Sequence, residues 1–293
     1  MKKPLVTIVV VAGPDRKKEL FHCLQTIYAS TYKSIEVIVV DNSMNTEIAR
    51  SVEKTFPSAR RIIMPENTGI FGYNVGFANA QGAYILILDD DCALPKESIE
   101  HAVRSFEQKS EHVGVLTAHI YNPTLKNYST QVYAENNLTT IPLFSGASMF
   151  RASALKKVGY FDASLFCWQH EIDLSLRMLD AGFTIYFEKQ FVVIHPKGVE
   201  YRAILHYYIS RNETWLAIKH FSFPFLELLL LKNLLVVLLL PFKYKTIKAL
   251  GYGLLGYVAG YASLFRVLKQ RKTVAWNIQK RFFAFHVLGR LES

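Results

Sequence analysis

Residues 85–95 read ILILDDDCALP, four apolar residues running straight into Asp89, Asp90 and Asp91. Adjacent carboxylates repel one another in water. A divalent cation turns that repulsion into a ligand set, because Mg²⁺ and Mn²⁺ take carboxylate oxygens and share their shell with phosphates. The competing reading is a solvated acidic turn, and the buried strand ahead of the triplet favours the metal. HEIDLSLRM (170–178) sets Glu171 and Asp173 at a helix start. There they either complement the helix dipole or supply a general base for a hydroxyl. Glu171 and Arg177 are six apart, too far to pair on one helix face. VVDNS (39–43) ends in Asp41, which either accepts hydrogen bonds from a nucleobase or ribose or opens a turn. His195, in VVIHPKG, is either a ligand for a transition-type cation or a structural imidazole. In ENTGIFGYNVGF (66–77), Gly69, Gly72 and Gly76 permit close backbone approach or mark a loop. Their spacing is not the GxGxxG dinucleotide fingerprint, which argues against a nicotinamide enzyme.

These residues need elements to hold them. LVTIVVV (5–11), IEVIVVD (35–41) and AYILILD (83–89) are continuous apolar runs, as in parallel strands covered on both faces. ARRIIMPE (59–66) reads as a shorter strand. Helical spacing covers 19–30, 46–56 and 72–81, the last rich in small residues. The alternation implies an α/β fold with a mostly parallel central sheet. Ligands of such sheets bind beyond the carboxyl ends of the strands, so Asp41 and Asp89 should face one crevice. From about 110 to 196, VGVLTAHIY and FSGASMFRASALKKVGYFD suggest strand, turn and helix. An amphipathic helix spans 170–183, and 184–196 holds one or two strands ending at His195.

The 293 residues suffice for one large domain or a domain with an appendage, and 51 % are hydrophobic, so global disorder is excluded. The net charge of +10 is uneven: from Lys197 onward there are 15 Lys/Arg against 4 Asp/Glu, and 19 against 20 before it. Cys23, Cys92 and Cys167 stand far apart without a CxxC pair, which suggests neither a disulfide framework nor a zinc site and fits a reducing cytosol. The apolar run after Met1 is only about seven residues and continues as strand, so it reads as structure and not as a signal peptide.

In order, VTIVVV, VVDNS, NTGIFGYNVGF, LDDDCALP, FSGASMFRASALKKVGYFD and HEIDLSLRMLDAGF, with a strand ending in His, resemble the family 2 glycosyltransferases. These are inverting nucleotide-sugar enzymes of the GT-A fold (a Rossmann-like α/β architecture). The resemblance covers about residues 5–200. It implies a catalytic domain over 1–200 that binds a nucleotide-sugar, and a helical, membrane-associating region over 201–293. It implies that Asp41 holds the base or ribose and that Asp89 and Asp91 are the outer members of a DxD element around Asp90. Asp91 is then the more direct ligand of a divalent metal, Mg or Mn, and His195 completes the shell. Asn67, Gly69 and Asn74 match the loop lying against the nucleotide-sugar, and Gly146 and Ala147 the small turn between donor and acceptor. Glu171 matches the general base, with Asp173 as its rival. Two stretches depart from the family. His170-Glu171-Ile172-Asp173 replaces the usual Glu-Asp-x-Asp, and VAGPDRKKEL replaces a Thr-Tyr-Asn-Arg-like stretch. Within the family the pattern is nearest to rhamnosyltransferase-like enzymes of bacterial surface polysaccharides. That implies a dTDP- or UDP-linked donor and a lipid-linked saccharide acceptor. The other readings are a non-catalytic sugar-nucleotide-binding subunit of a polysaccharide assembly, and a nucleotidyltransferase, which the single glycine of VAGPDRKKEL disfavours.

Beyond residue 200 a helix is expected at 202–220, an intensely apolar one at 223–242, and a small-residue, then basic stretch at 251–272. Glu227 and Lys232 interrupt 223–242, and a mid-bilayer charge costs about 2.5–3.5 kcal/mol. Helices lying in the interface are therefore expected, with Lys243, Lys245, Lys248, Arg266, Lys269, Arg271 and Lys272 near lipid phosphates. A buried core or dimer helix and a true span are the alternatives. This places the protein peripherally on the cytoplasmic face of the inner membrane. It leaves a homo-oligomer open and argues against nucleic acid, to which LLLLKNLLVVLLL offers nothing.

Overall fold

The computed structural model describes residues 3–43, 46–135, 140–144, 146–196 and 202–290. It opens with β1 (Val6–Ala12), α1 (Lys17–Tyr28), β2 (Ile35–Asp41), α2 (Thr46–Thr55), β3 (Arg60–Ile63), α3 (Phe71–Asn79), β4 (Tyr84–Asp89) and α4 (Ser98–Glu107). There follow β5 (Val113–Asn122), β6 (Asn127–Tyr128), α5 (Gln131–Glu135), β7 (Ser148–Arg151), α6 (Ala152–Val158), α7 (His170–Asp180) and β8 (Thr184–Ile194). The last stretch is helical: α8 (Leu205–His220), α9 (Phe225–Tyr244), α10 (Ile247–Ala262), α11 (Leu264–Lys269) and α12 (Trp276–His286).

One sheet runs β3-β2-β1-β4-β7-β5-β6, with β8 also on β5. The first four of these strands are mutually parallel, β7 lies antiparallel between β4 and β5, and β8 returns parallel to β5. Alternation along β1 explains the layering. Val6, Ile8 and Val10 join Leu20 and Leu24 of α1 and Phe106 of α4 on one face, while Val9 joins Phe77 of α3 and Leu174 of α7 on the other. With both faces covered, the strands must read as unbroken apolar runs, each fully buried aliphatic side chain contributing ~1.5–3 kcal/mol. The small residues of α3 also find their reason here. A methyl group on Gly76 would lie 2.2 Å from Val9 Cγ1, so the helix can approach β1 only without one.

The boundaries differ locally from expectation. The acidic-start helix stops at Asp180, and Gly182 turns the chain at φ +84° before β8. Residues 251–272 fall on two helices that break at Ser263, and the first of them begins earlier, at Ile247. The small residues of α10 pack inward: Gly256 meets the Tyr207 backbone and Gly260 the Thr214 side chain of α8, while Gly253 meets Val237 and Leu240 of α9. Asn233 of α9 ties into this layer, donating to Ser210 O (2.8 Å) and Thr214 Oγ1 (3.0 Å). α9 is long and apolar enough to cross a membrane by length and composition, with only 22 % of its most apolar window buried. Leu176 of α7 packs with Ala217 and Phe221 of α8, Leu229 of α9 and Phe282 of α12, joining the helical region to the sheet layer.

Candidate active site

Parallel register brings the acids to one edge. Ala12 at the end of β1 lies opposite Asp41, and Val11 lies opposite Asp89, so β2 and β4 finish level beside β1. The three consecutive aspartates then part company. Asp90 turns inward and is buried, accepting from the Gly13 backbone N–H (2.7 Å) and from Arg16 (3.1 Å). Burial pushes its pKa up to about 6 against the pull of Gly13 and Arg16. Asp89 and Asp91 turn toward the crevice.

His195 reaches Asp91 through an antiparallel bridge. Ala93 and Ile194 exchange backbone hydrogen bonds at 2.8 and 2.9 Å, which sets the end of β8 beside the acidic turn. His195 Nε2 then lies 3.1 Å from Asp91 Oδ1 and 3.8 Å from Asp89 Oδ2. Burial opposes charge on Asp91, but the hydrogen bond and charge of His195, then Arg16, outweigh it and hold that carboxyl below its usual range. The Asp91 hydrogen bond raises the His195 pKa in return, against burial. On the other side of Asp89, Tyr73 of α3 donates to Oδ1 at 2.7 Å, and burial beside that carboxylate pushes the Tyr73 phenol well up.

Glu171 meets this cluster across Gly146. A methyl group on Gly146 would lie 3.8 Å from Asp89 Oδ2 and 3.9 Å from Glu171 Oε1. The two carboxylates are therefore separated by no more than the width of one missing side chain and its contacts. His170 Nε2 is 3.2 Å from Glu171 Oε1, and its ring stands edge-on against Phe161, centroids 4.9 Å apart. Ala147, next to Gly146, is buried, and its carbonyl accepts from Ala118 N–H (3.1 Å), so it serves the sheet. Asp41 is buried and accepts from the Ser43 N–H (2.9 Å) and hydroxyl; it both ends β2 at the crevice and forms the turn.

Several candidates have other employment. Asp173 is fully buried and points away from Glu171. Its Oδ2 takes Arg177 (2.7 Å), and its Oδ1 takes both Lys219 and His220 of α8 (2.8 Å each). Burial opposes its charge, yet His220, Arg177 and Lys219 hold its carboxyl far below the ordinary range. With both oxygens bound by cations or donors, Asp173 has no lone pair facing a substrate hydroxyl and is not the rival base. Asn74 clips the backbone of Phe161, donating to its carbonyl (2.8 Å) and accepting from its N–H (3.0 Å). Gly69, at φ +57°, gives its space to the Phe166 carbonyl, which a methyl group there would meet at 2.1 Å. Asn67 accepts from the Gly69 N–H (3.0 Å) and shapes the same loop. These loop residues hold protein against protein.

A family model described as "Glycosyl transferase family 2" matches residues 8–164, more than half of the chain. The chain belongs to that family. This family 2 glycosyltransferase is 28 % identical over 180 residues to an uncharacterized glycosyltransferase of Methanocaldococcus jannaschii, covering 55 % of this chain and 60 % of that one. It is 28 % identical to glycosyltransferase GlyG of Streptococcus pneumoniae over 125 residues, 41 % of each chain. The match thus spans less than two thirds of the length of either relative. Among solved structures, a mannosyltransferase from Pyrobaculum calidifontis in complex with GDP-Man and Mn²⁺ superposes with TM-score 0.61 at 15 % identity, over 90 % of this chain and 88 % of that one. S. aureus TarS in complex with UDP-GlcNAc gives TM-score 0.59 at 14 % identity, over 90 % and 81 %. These likenesses show the GT-A fold.

Beside these acids stand residues that the motifs did not single out. Tyr73 lies within the glycine-rich stretch, hidden among helix-core positions. Arg16 lies in the loop that departs from the family pattern, and only the fold brings it to Asp90 and Asp91. Cys92 falls within ligand distance of Asp91 and His195. Burial pushes its thiol well up, which makes it a poorer cation ligand than the neighbouring carboxylate oxygens.

Proposed function

We propose that this chain transfers a sugar from a nucleoside-diphospho-sugar to an acceptor hydroxyl in a single inverting displacement. The observation that carries the reading is that Asp89 and Glu171 face each other across the side-chain-free Gly146, with His195 linking Asp89 to Asp91 beside them. Two carboxylates and an imidazole at one strand edge form a donor set suited to Mg²⁺ or Mn²⁺. Asp89, Asp91 and His195 would hold that ion, which when bound supplies Lewis-acid stabilisation of the departing diphosphate. Tyr73 fixes the Asp89 carboxylate, and Asp90, tied to Gly13, anchors the acidic turn to the first loop. Glu171 takes the proton of the acceptor hydroxyl, and His170 beside it orients its carboxylate. Asp41, at the end of β2, contacts the base or ribose. The donor class agrees with the ligands bound by the mannosyltransferase and TarS neighbours. A dTDP- or UDP-linked sugar, rhamnose among them, is our specific expectation, with a lipid-linked saccharide as acceptor.

The acceptor's lipid fits the surface of the helical region. On α9, Leu231, Leu235, Leu239 and Phe242 are between half and four-fifths exposed, and Phe265 after α10 is 82 % exposed. Lys243, Lys245, Lys248 and Lys269, on or next to the same helices, are exposed as well. Arg271 instead donates to the carbonyls of Ile218 and Phe221 and Arg266 stacks on Trp215, so these two serve the fold, while Lys272 stays exposed beside Asp180 at 3.7 Å. We read this face as lying in the interface of a cytoplasmic membrane leaflet.

The test is release of nucleoside diphosphate from a panel of nucleotide sugars with Mg²⁺ or Mn²⁺. One donor should turn over, chelation should stop it, Asp91→Ala should abolish it, and Glu171→Gln should lower it by about 10²–10⁴. Nucleotide binding without turnover on any donor would instead support the binding-subunit reading. Sedimentation with vesicles of zwitterionic and anionic lipid tests the membrane face. Anionic vesicles should carry the protein down, and a protein left wholly in the supernatant would refute peripheral association.

A further inference from the structure

The carboxylate of Asp91 is already engaged by side chains of the protein itself. Arg16 Nη1 lies 2.7 Å from Asp91 Oδ2 and 3.1 Å from Asp90 Oδ1, while His195 occupies Asp91 Oδ1. Both oxygens of the more direct ligand are therefore engaged, one of them by a group that stays charged at every accessible pH. Asp90 is nearly inaccessible, whereas the Arg16 side chain is 40 % exposed on the loop between β1 and α1. Its guanidinium can swing toward solvent without disturbing buried packing. A dication placed at Asp91 would sit against that guanidinium, and like charges at such separation oppose binding. The donor's diphosphate adds negative charge at the same spot, and a guanidinium fork matches phosphate oxygens as well as it matches carboxylates.

We propose that Arg16 is a resident cation that makes metal and nucleotide binding interdependent. In the free protein it closes the charge of Asp90 and Asp91. When metal and diphosphate arrive together, it passes from Asp91 to the phosphates while keeping its contact to Asp90. This rests on the proposed donor chemistry and adds to it an order: metal alone binds weakly, and the diphosphate opens the site to it. Thermodynamic reciprocity then requires metal to tighten nucleotide by the same factor. Arg16 acts here as a positioning residue, since its effect runs through Asp91.

The experiment is a Mn²⁺ titration followed by electron paramagnetic resonance, without nucleotide and with saturating UDP or GDP, on the wild type, Arg16→Met and Arg16→Lys. Asp91→Ala defines the site. In the wild type, the nucleotide should tighten Mn²⁺ by about tenfold or more, within the range usual for coupled sites. Arg16→Met should bind Mn²⁺ alone about tenfold more tightly than the wild type, with the nucleotide effect reduced. Arg16→Lys keeps the charge without the fork and should fall between them. Circular dichroism and melting temperature on the same samples show that the variants are folded. Equal or weaker Mn²⁺ binding by folded Arg16→Met, with Asp91→Ala still losing the metal, overturns the proposal and leaves the donor chemistry standing. Absence of Mn²⁺ binding by every variant, with and without nucleotide, overturns both.

Discussion

Replacing Asp173 by Asn separates scaffold from chemistry on a single helix. Asp173 has no exposed surface and balances Arg177, Lys219 and His220. Removing one partner from a buried ion cluster costs roughly 3–5 kcal/mol, because the remaining charges stay desolvated. Here the remainder is partly cared for. Lys219 keeps Asp162 at 2.8 Å, and Arg177 keeps the carbonyls of Val158 and Tyr160 at 3.1 and 2.7 Å. The lower end, about 3 kcal/mol, is therefore expected, and at about 2–4 °C per kcal/mol the melting temperature should fall by roughly 6–12 °C. Glu171 sits two residues earlier, with its carboxylate in the crevice and His170 against it. Glu171→Gln should shift melting by no more than about 2 °C, as partly exposed sites usually do. It should lower turnover by about 10²–10⁴, the usual worth of a general base. The assay is a thermal melt of each variant paired with nucleoside diphosphate release at a temperature where both are folded. If folded Asp173→Asn lost turnover as completely as Glu171→Gln, or if Glu171→Gln melted as early as Asp173→Asn, the division of labour argued here would be wrong.

Three further outcomes follow from the geometry. Burial, then the neighbouring Lys232, lowers the His286 pKa to about 4, so this imidazole is neutral in the folded chain and charges more readily in the unfolded one. Its contribution is complete above the unfolded value near 6.5 and is lost as pH falls toward 4, roughly 3 kcal/mol in all; urea melts across that window should show it, and His286→Phe should flatten it. Tyr73→Phe removes the 2.7 Å bond that fixes Asp89 and should weaken Mn²⁺ binding by about tenfold, as loss of a ligand-orienting contact does, with little change in melting. Gly256→Ala sets a methyl group 2.2 Å from the Tyr207 carbonyl and should cost about 1–3 kcal/mol by prying α10 off α8, read from denaturant midpoints.

The strands were legible because sheets covered on both faces demand uninterrupted Val, Ile and Leu, and β1, β2 and β4 supply them. Asp41 and Asp89 were legible for a related reason: a charged residue ending such a run must lie at the strand's carboxyl end. The fate of Asp173 was not legible. Its partners Lys219 and His220 are 46 and 47 residues away, on a helix whose composition gives no hint of where it docks. The glycines spoke for close approach, but could not say whether to a ligand or to the chain itself, and at Gly69 and Gly76 the neighbour is Phe166 or Val9. Arg16 stayed hidden because 74 residues separate it from Asp90, and only the adjacency of β1 and β4 closes that gap.

The grip of Lys219 and His220 on Asp173 has a consequence for how the chain can be divided. A protein cut after residue 200 would retain every acid of the crevice and still leave an anion in its interior with Arg177 as sole counterweight. The stretch that carries those acids thus relies on α8 for part of its buried charge balance. Helix α8 acts as its keel, and any tilt of α8 reaches the root of the helix on which Glu171 stands.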